Sequence, residues 1–243
     1  MAQALDRLLD LAEKDGAAVA QVLLQLLQEE WRHRQERSLA YRITQAKLPW
    51  DWSIDTFPFD KQPAVNTSQI KSLAGLDFIE RAQNIVFVGP TGTGKTGLAI
   101  SLLRQALING YRGRFYKAQD LVDELYASLA DRTSTRLLNR LSQYHVLVID
   151  ELGYLTLKSE QVNAFFKLLD IRYGKVPTII TTNLIYPDWY ELFQRKDLVD
   201  ALLDRLQHHC ITIQIDGPSL RTPDSTPSSP RKRKKNSQEK CTG

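Results

Sequence analysis

Apolar positions along the chain fall into two regimes. Before residue 48 they recur with helical spacing: Leu5, Leu8, Leu9 and Ala12, then after Gly16 the set Val19, Val22, Leu23, Leu26 and Leu27. This predicts two amphipathic helices within residues 5–47. The second continues into the charged stretch Trp31 to Arg37 and should stop at Leu48-Pro49, because proline disfavours helix in the residue before it. From Ile85 onward, short apolar runs alternate with helical patterns. The predicted strands are Ile85 to Val88, Arg114 to Lys117, Val146 to Ile149, Val176 to Thr182 and Ile211 to Ile215. Helices are expected at Thr96 to Ile108, Leu121 to Leu129, Gln161 to Arg172 and Leu198 to His209. Such alternation implies an α/β fold whose parallel sheet is covered on both faces. After Gly217-Pro218, the Ser-, Thr-, Pro- and Lys-rich stretch Thr222 to Gly243 has too few apolar residues to offset its ordering entropy, so disorder is expected there. The chain therefore divides into a helical module (1–48), a linker (49–68), an α/β domain (69–221) and a basic tail (222–243).

Composition narrows the class. With 42% apolar and 25% charged residues among 243, the chain reads as globular rather than disordered, collagenous or membrane-embedded. No apolar run approaches the ~20 residues of a membrane span. Asp6, Arg7, Asp10 and Glu13 interrupt the N-terminal leucines, unlike a secretory signal. Cys210 and Cys241 are too few and too far apart for a disulfide framework or zinc site, so a reducing, cytoplasmic setting is expected. The formal charge of +4 is uneven: from Arg221 onward seven Lys or Arg face two acids, leaving residues 1–220 at −1. A basic isoelectric point thus says little about the body of the protein.

Gly89-Pro90-Thr91-Gly92-Thr93-Gly94-Lys95-Thr96 matches G-x-x-x-x-G-K-[ST] in full. Glycines let successive N–H groups face phosphate oxygens, Lys95 brings charge to the outer phosphates, and the Thr96 hydroxyl suits Mg²⁺. The motif has its required setting, since the run Ile85-Val86-Phe87-Val88 precedes it and the helical pattern Leu98, Leu102, Leu103, Leu107 follows. The strand Val146 to Ile149 ends in Asp150-Glu151, at the sheet edge where ligands of open α/β folds bind. Asp150 is expected to hold Mg²⁺ through water, and Glu151 to orient the attacking water. Asp150-Glu151-Leu152-Gly153 also fits the D-x-x-G of GTPases, but no guanine-reading Asn-Lys-x-Asp occurs. A small-molecule kinase would not need a water-directing glutamate beside the metal ligand. ATP hydrolysis is the preferred reaction.

Asn183 follows Ile179-Ile180-Thr181-Thr182 at the same edge, where it either senses the γ-phosphate or merely opens a turn. Arg205 falls on the rim of the face formed by Leu198, Leu202, Leu203 and Leu206. Spacing leaves two readings open, a finger reaching a neighbouring subunit's phosphate or a surface ion pair.

Four strings, LVIDELGYL (147–155), IITTNL (179–184), ALLDRLQHH (201–209) and the phosphate loop, resemble the IstB-type insertion-sequence helper ATPases, AAA+ proteins similar to the DnaC helicase loaders. The resemblance covers roughly residues 18–221, including the charged helix at 29–49. It implies a three-layer AAA+ domain using ATP and Mg²⁺, with Lys95 and Thr96 as ligands, Asp150 and Glu151 as the Walker B pair, Asn183 as first sensor and Arg205 as arginine finger. The family's Ser-Tyr-Arg string is represented by Ser219-Leu220-Arg221, which keeps the arginine of a second sensor but not the tyrosine. The resemblance further implies homo-oligomers with ATP sites at subunit interfaces, assembly on double-stranded DNA, and delivery of a transposase. The alternatives are a replicative helicase loader and an inactive nucleotide-gated scaffold. Candidate DNA contacts are Arg32, Arg34, Arg37, Arg42 and Lys47 on the long helix, loops around Arg132, Arg136 and Arg140, and the Arg231–Lys235 cluster.

Overall fold

The computed structural model describes residues 19–155 and 157–221. The predicted helix at 5–12 and the basic tail lie outside these. Within them the chain runs α1 (Val19–Ala46), α2 (Thr67–Leu73), α3 (Asp77–Glu80), β1 (Asn84–Val88), α4 (Lys95–Ile108), β2 (Gly113–Lys117), α5 (Ala118–Ala130), α6 (Ser134–Ser142), β3 (Val146–Asp150), α7 (Ser159–Arg172), β4 (Thr178–Thr182), α8 (Trp189–Phe193), α9 (Lys196–His208) and β5 (Cys210–Gln214).

All five strands pair in parallel, in the order β2-β3-β4-β1-β5. Strand side chains alternate between two cores. Ile85, Phe87, Val146, Val148 and Ile179 face α4 and the C-terminal part of α1. Val86, Val88, Leu147, Ile149 and Ile180 face α5, α6, α7 and α9. Burial on both sides explains why these strands read as unbroken apolar runs. Each predicted strand and helix from residue 85 onward is found, with ends shifted by at most three residues.

Four short helices were not foreseen. Among them α6 occupies the segment expected as a loop around Arg136 and Arg140; it buries Leu137, Leu138 and Leu141 and leaves the arginines on its outer face. Its apolar positions are too few to signal a helix against the intervening Arg, Asn and Ser. A second difference concerns α1. Its C-terminal half packs on the domain through Leu39, Ile43 and Ala46, whereas Leu23, Leu24, Leu27 and Trp31 are more than half exposed. Arg42 is not part of a free basic stripe: Nε donates to the Leu107 carbonyl at 2.9 Å, and an Nη donates to Ser38 Oγ at 2.6 Å. Residues 49–66, in the expected linker, lie against the domain. Phe57 and Val65 are buried in its core, and Asp51 pairs with Arg104 of α4.

Candidate functional site

Strands β1, β3 and β4 end side by side, so the loops leaving them converge at one edge of the sheet. The loop after β1 takes the left-handed conformation at Gly94, φ +93°, just before α4 begins at Lys95. Only a residue without Cβ fits, because a side chain would meet the Phe57 ring at 2.8 Å. Thr93 Oγ1 donates to the Pro90 carbonyl at 2.9 Å and braces the loop. Lys95 Nζ donates to the carbonyls of Gly89 (2.7 Å) and Pro90 (2.6 Å), curled over the loop it serves. Its pKa is lowered by burial and by the charge of Arg221, against the opposing pull of Asp150 and Glu151.

Asp150 is the last residue of β3 and is 1% exposed. Its Oδ1 accepts hydrogen bonds from Thr96 Oγ1 (2.8 Å) and Thr181 Oγ1 (2.6 Å). Burial raises the pKa of this carboxyl, and the two hydroxyl bonds pull it back. Thr181 also accepts from the Glu151 N–H at 3.0 Å, which secures Glu151 in a left-handed conformation, φ +62°, uncommon for a residue with a side chain. The Glu151 carboxylate is half exposed and 3.6 Å from Lys117 Nζ at the end of β2. Asn183 lines the same cavity, and its buried Oδ1 has no hydrogen-bond partner among the described residues.

The cavity measures about 540 Å³. One wall carries Thr91, Gly92, Gly94, Lys95, Thr96, Glu151, Thr181 and Asn183. The remaining lining is largely aromatic and apolar: Trp50, Trp52 and Phe57 come from the predicted linker, and Leu220 and Arg221 from the segment after β5. Tyr154 closes a corner, its hydroxyl 2.5 Å from Thr91 Oγ1. A glycine-rich loop with a lysine, in a cavity also lined by tryptophan rings, matches a polyanion joined to an aromatic base. The hydroxyl of Thr96 beside one carboxylate matches Mg²⁺, which takes a few protein oxygens and completes its shell with phosphate oxygens and water.

The structure thus brings together the Gly89–Thr96 loop, Asp150, Glu151, Asn183 and Arg221. Arg205 lies elsewhere. Helix α9 leads into β5, whose first residue pairs with Asn84 at the start of β1, opposite the phosphate loop. There Arg205 forms a 2.8 Å ion pair with Asp170, stands 5.6 Å over the Tyr173 ring and lines a small cavity with Asn84. The contributions of Thr181, Lys117, Tyr154 and the aromatic lining were missed from the sequence. Thr181 is placed beside Asp150 by register, since Ile149 stands opposite Ile180 on the neighbouring strand.

Comparison with known proteins places the chain in a family. The family model for IstB-like ATP binding proteins matches residues 1–228. A Pseudomonas aeruginosa protein named for ATP binding in insertion sequence IS21 is 39% identical over 216 residues, 89% of this chain and 82% of its own length. A Geobacillus stearothermophilus counterpart from IS5376 is 37% identical over 221 residues, 91% and 88% of the two chains. Among solved structures, the DnaC helicase loader superposes with a TM-score of 0.60 at 26% identity, across 70% of this chain and 100% of that one.

Proposed function

Because this chain belongs to the IstB-like ATP-binding protein family of insertion sequences, whose members share the AAA+ fold, we propose that it is an ATP-hydrolysing, DNA-binding helper of transposition. In this reading it assembles on target DNA in the ATP state, recruits or stimulates a transposase, and disassembles on hydrolysis. The observation that carries the enzymatic part is the convergence of Thr96, Asp150, Thr181 and Glu151 beside Lys95.

The assigned roles follow from chemistry. Trp50, Trp52 and Phe57 pack on the adenine base. Lys95 exchanges its two loop carbonyls for phosphate oxygens, and the loop N–H groups with the N-terminus of α4 add fixed positive potential. Mg²⁺, held by Thr96 and through Asp150, would neutralise charge on the terminal phosphates. Glu151 orients and polarises the attacking water, while Asn183 offers the amide that contacts that water or the γ-phosphate. Arg205 sits at the far edge of the sheet from its own chain's loop, so a role in hydrolysis calls for a second protomer whose site it completes. Its pair with Asp170 is partly exposed and worth at most about 1 kcal/mol, a small cost on docking.

For DNA, the exposed Arg32, Arg34 and Arg37 of α1 and the outer face of α6 with Arg132 and Arg136 offer phosphate contacts. Residues 1–48 would then be the module that meets DNA or partner protein, and the basic tail an accessory. A DnaC-like loader of a replicative helicase is the second reading, supported by the likeness to the DnaC structure. Phosphate release with and without duplex DNA, together with sedimentation in ATP and ADP, tests the proposal. DNA-stimulated turnover abolished by Lys95→Ala, and oligomers trapped on DNA by Glu151→Gln, are expected. A folded protein without turnover would be the nucleotide-gated scaffold instead, and retention of helicase rather than transposase by the full chain would favour the loader.

A further inference from the structure

Gln62 is fully buried, in a stretch where polar residues are otherwise solvated. Its amide nitrogen donates to the Thr93 carbonyl of the phosphate loop at 3.1 Å and to the Pro218 carbonyl after β5 at 2.9 Å. A glutamine amide has two N–H donors, and each is used on a different segment. The fit is close. A Cβ on Gly217 would lie 1.6 Å from Gln62 Oε1, which has no hydrogen-bond partner among the described residues. The Pro218 segment is also tied to the loop directly, since the Leu220 N–H donates to the Gly92 carbonyl at 2.8 Å, and its next residue, Arg221, lines the cavity. Five residues before Gln62, Phe57 stands against Gly94.

We infer that Gln62 is a positioning residue that couples the phosphate loop to the strap 217–221, so that the placement of Arg221 and the shape of the loop are set together. This rests on the ATP-binding reading above. Letting go of either carbonyl would leave a buried polar group unpaired, so loop and strap move as one. A purely space-filling role would instead leave Arg221 to act independently of residue 62.

The test is a double-mutant cycle on the full chain, with Mg-ATP affinity measured by calorimetry and folding checked by thermal melting. Gln62→Met keeps the volume and removes both donors. It should weaken ATP binding about tenfold, and Arg221→Ala should then add less than about twofold although it costs several-fold in the unaltered chain. Should Gln62→Met fail to fold, Gly217→Ala supplies the second arm, because its methyl evicts the Gln62 side chain while leaving the donors intact; the same loss and the same lack of additivity are expected. Multiplicative effects, an Arg221→Ala change without consequence in the unaltered chain, or binding by both Gln62→Met and Gly217→Ala within twofold of it would overturn the coupling. Absence of ATP binding by the unaltered chain would sink the nucleotide reading itself, a result distinct from normal binding with additive losses.

Discussion

Lys117 Nζ lies 3.6 Å from Glu151 Oε2, joining the end of β2 to the residue after β3. Lys117 and Asp150 are register partners on adjacent strands, so the ammonium is delivered to the site by the sheet itself. An ammonium held on the carboxylate competes with water for it. Lys117→Ala should therefore raise DNA-independent ATP hydrolysis. Both side chains are about half exposed, so the pair is worth at most about 1 kcal/mol and the increase should stay below about fivefold. ATP affinity should change little. Steady-state phosphate release checks this, and a slower variant would mean that Lys117 helps Glu151 rather than restraining it.

Gly153 leaves the space that the Asn183 side chain fills. A Cβ at Gly153 would fall 1.9 Å from Asn183 Oδ1 and 3.0 Å from its amide carbon. The D-x-x-G spacing, which in the sequence looked like a GTPase feature, here leaves room for the Asn183 side chain. Gly153→Ala should displace that amide and lower kcat about 10- to 100-fold, as loss of one polar contact to the reacting centre does, with much less effect on ATP affinity. Asn183→Ala should match it, and the double variant should be no slower than either single one. Single-turnover hydrolysis alongside nucleotide titration separates the two effects.

His145 provides a pH signature of stability. Its Nδ1 accepts from the Arg112 N–H at 2.9 Å, and burial, followed by the charge of Arg112, lowers its pKa below 6.5. The sign follows from linkage: as pH falls through 6.5 the unfolded chain gains a proton that the folded chain resists, so stability drops until the folded imidazole also protonates. His145→Asn can offer a carbonyl oxygen to the same N–H without titrating. The urea midpoint of the unaltered protein should fall more steeply between pH 7.5 and 5.5 than that of the variant. Parallel curves would remove His145 from the account.

What could be read in advance divides along physical lines. Val146 to Ile149 announced a strand because both its faces are buried, and Gly89 to Thr96 announced a phosphate loop because backbone conformation and charge restrict each fixed position. Thr181 was hidden inside a β-branched run that propensity alone explains; only register with β3 shows its hydroxyl at Asp150. Trp50, Trp52, Phe57 and Gln62 were hidden by context, since a Pro- and Asp-rich stretch reads as a linker until the domain it folds against is known. Arg205 carries an identifiable type at an identifiable place, yet a single chain gives it Asp170 as partner.

Arg172, whose place in the sequence predicts only the end of a helix, is 1% exposed. No carboxylate among the described residues pairs with it. Its guanidinium instead donates to the carbonyls of Leu141 (2.7 Å), Tyr144 (2.9 Å) and Pro177 (2.5 Å) and to Thr178 Oγ1 (3.0 Å). One planar fork thereby fastens the end of α6, the approach to β3 and the start of β4 at the sheet edge away from the nucleotide cavity. Arg172→Met preserves much of the volume but leaves several buried acceptors unpaired at about 1–3 kcal/mol each, for a loss of about 3 kcal/mol or more. That is a large share of the roughly 5–15 kcal/mol by which domains are stable. Arg172→Lys keeps the charge yet presents a point donor in place of the fork, so it should recover only part of the loss. Urea unfolding should order the midpoints Arg, Lys, Met. ATP affinity of the folded Lys variant should be unchanged, since none of the four acceptors borders the nucleotide cavity.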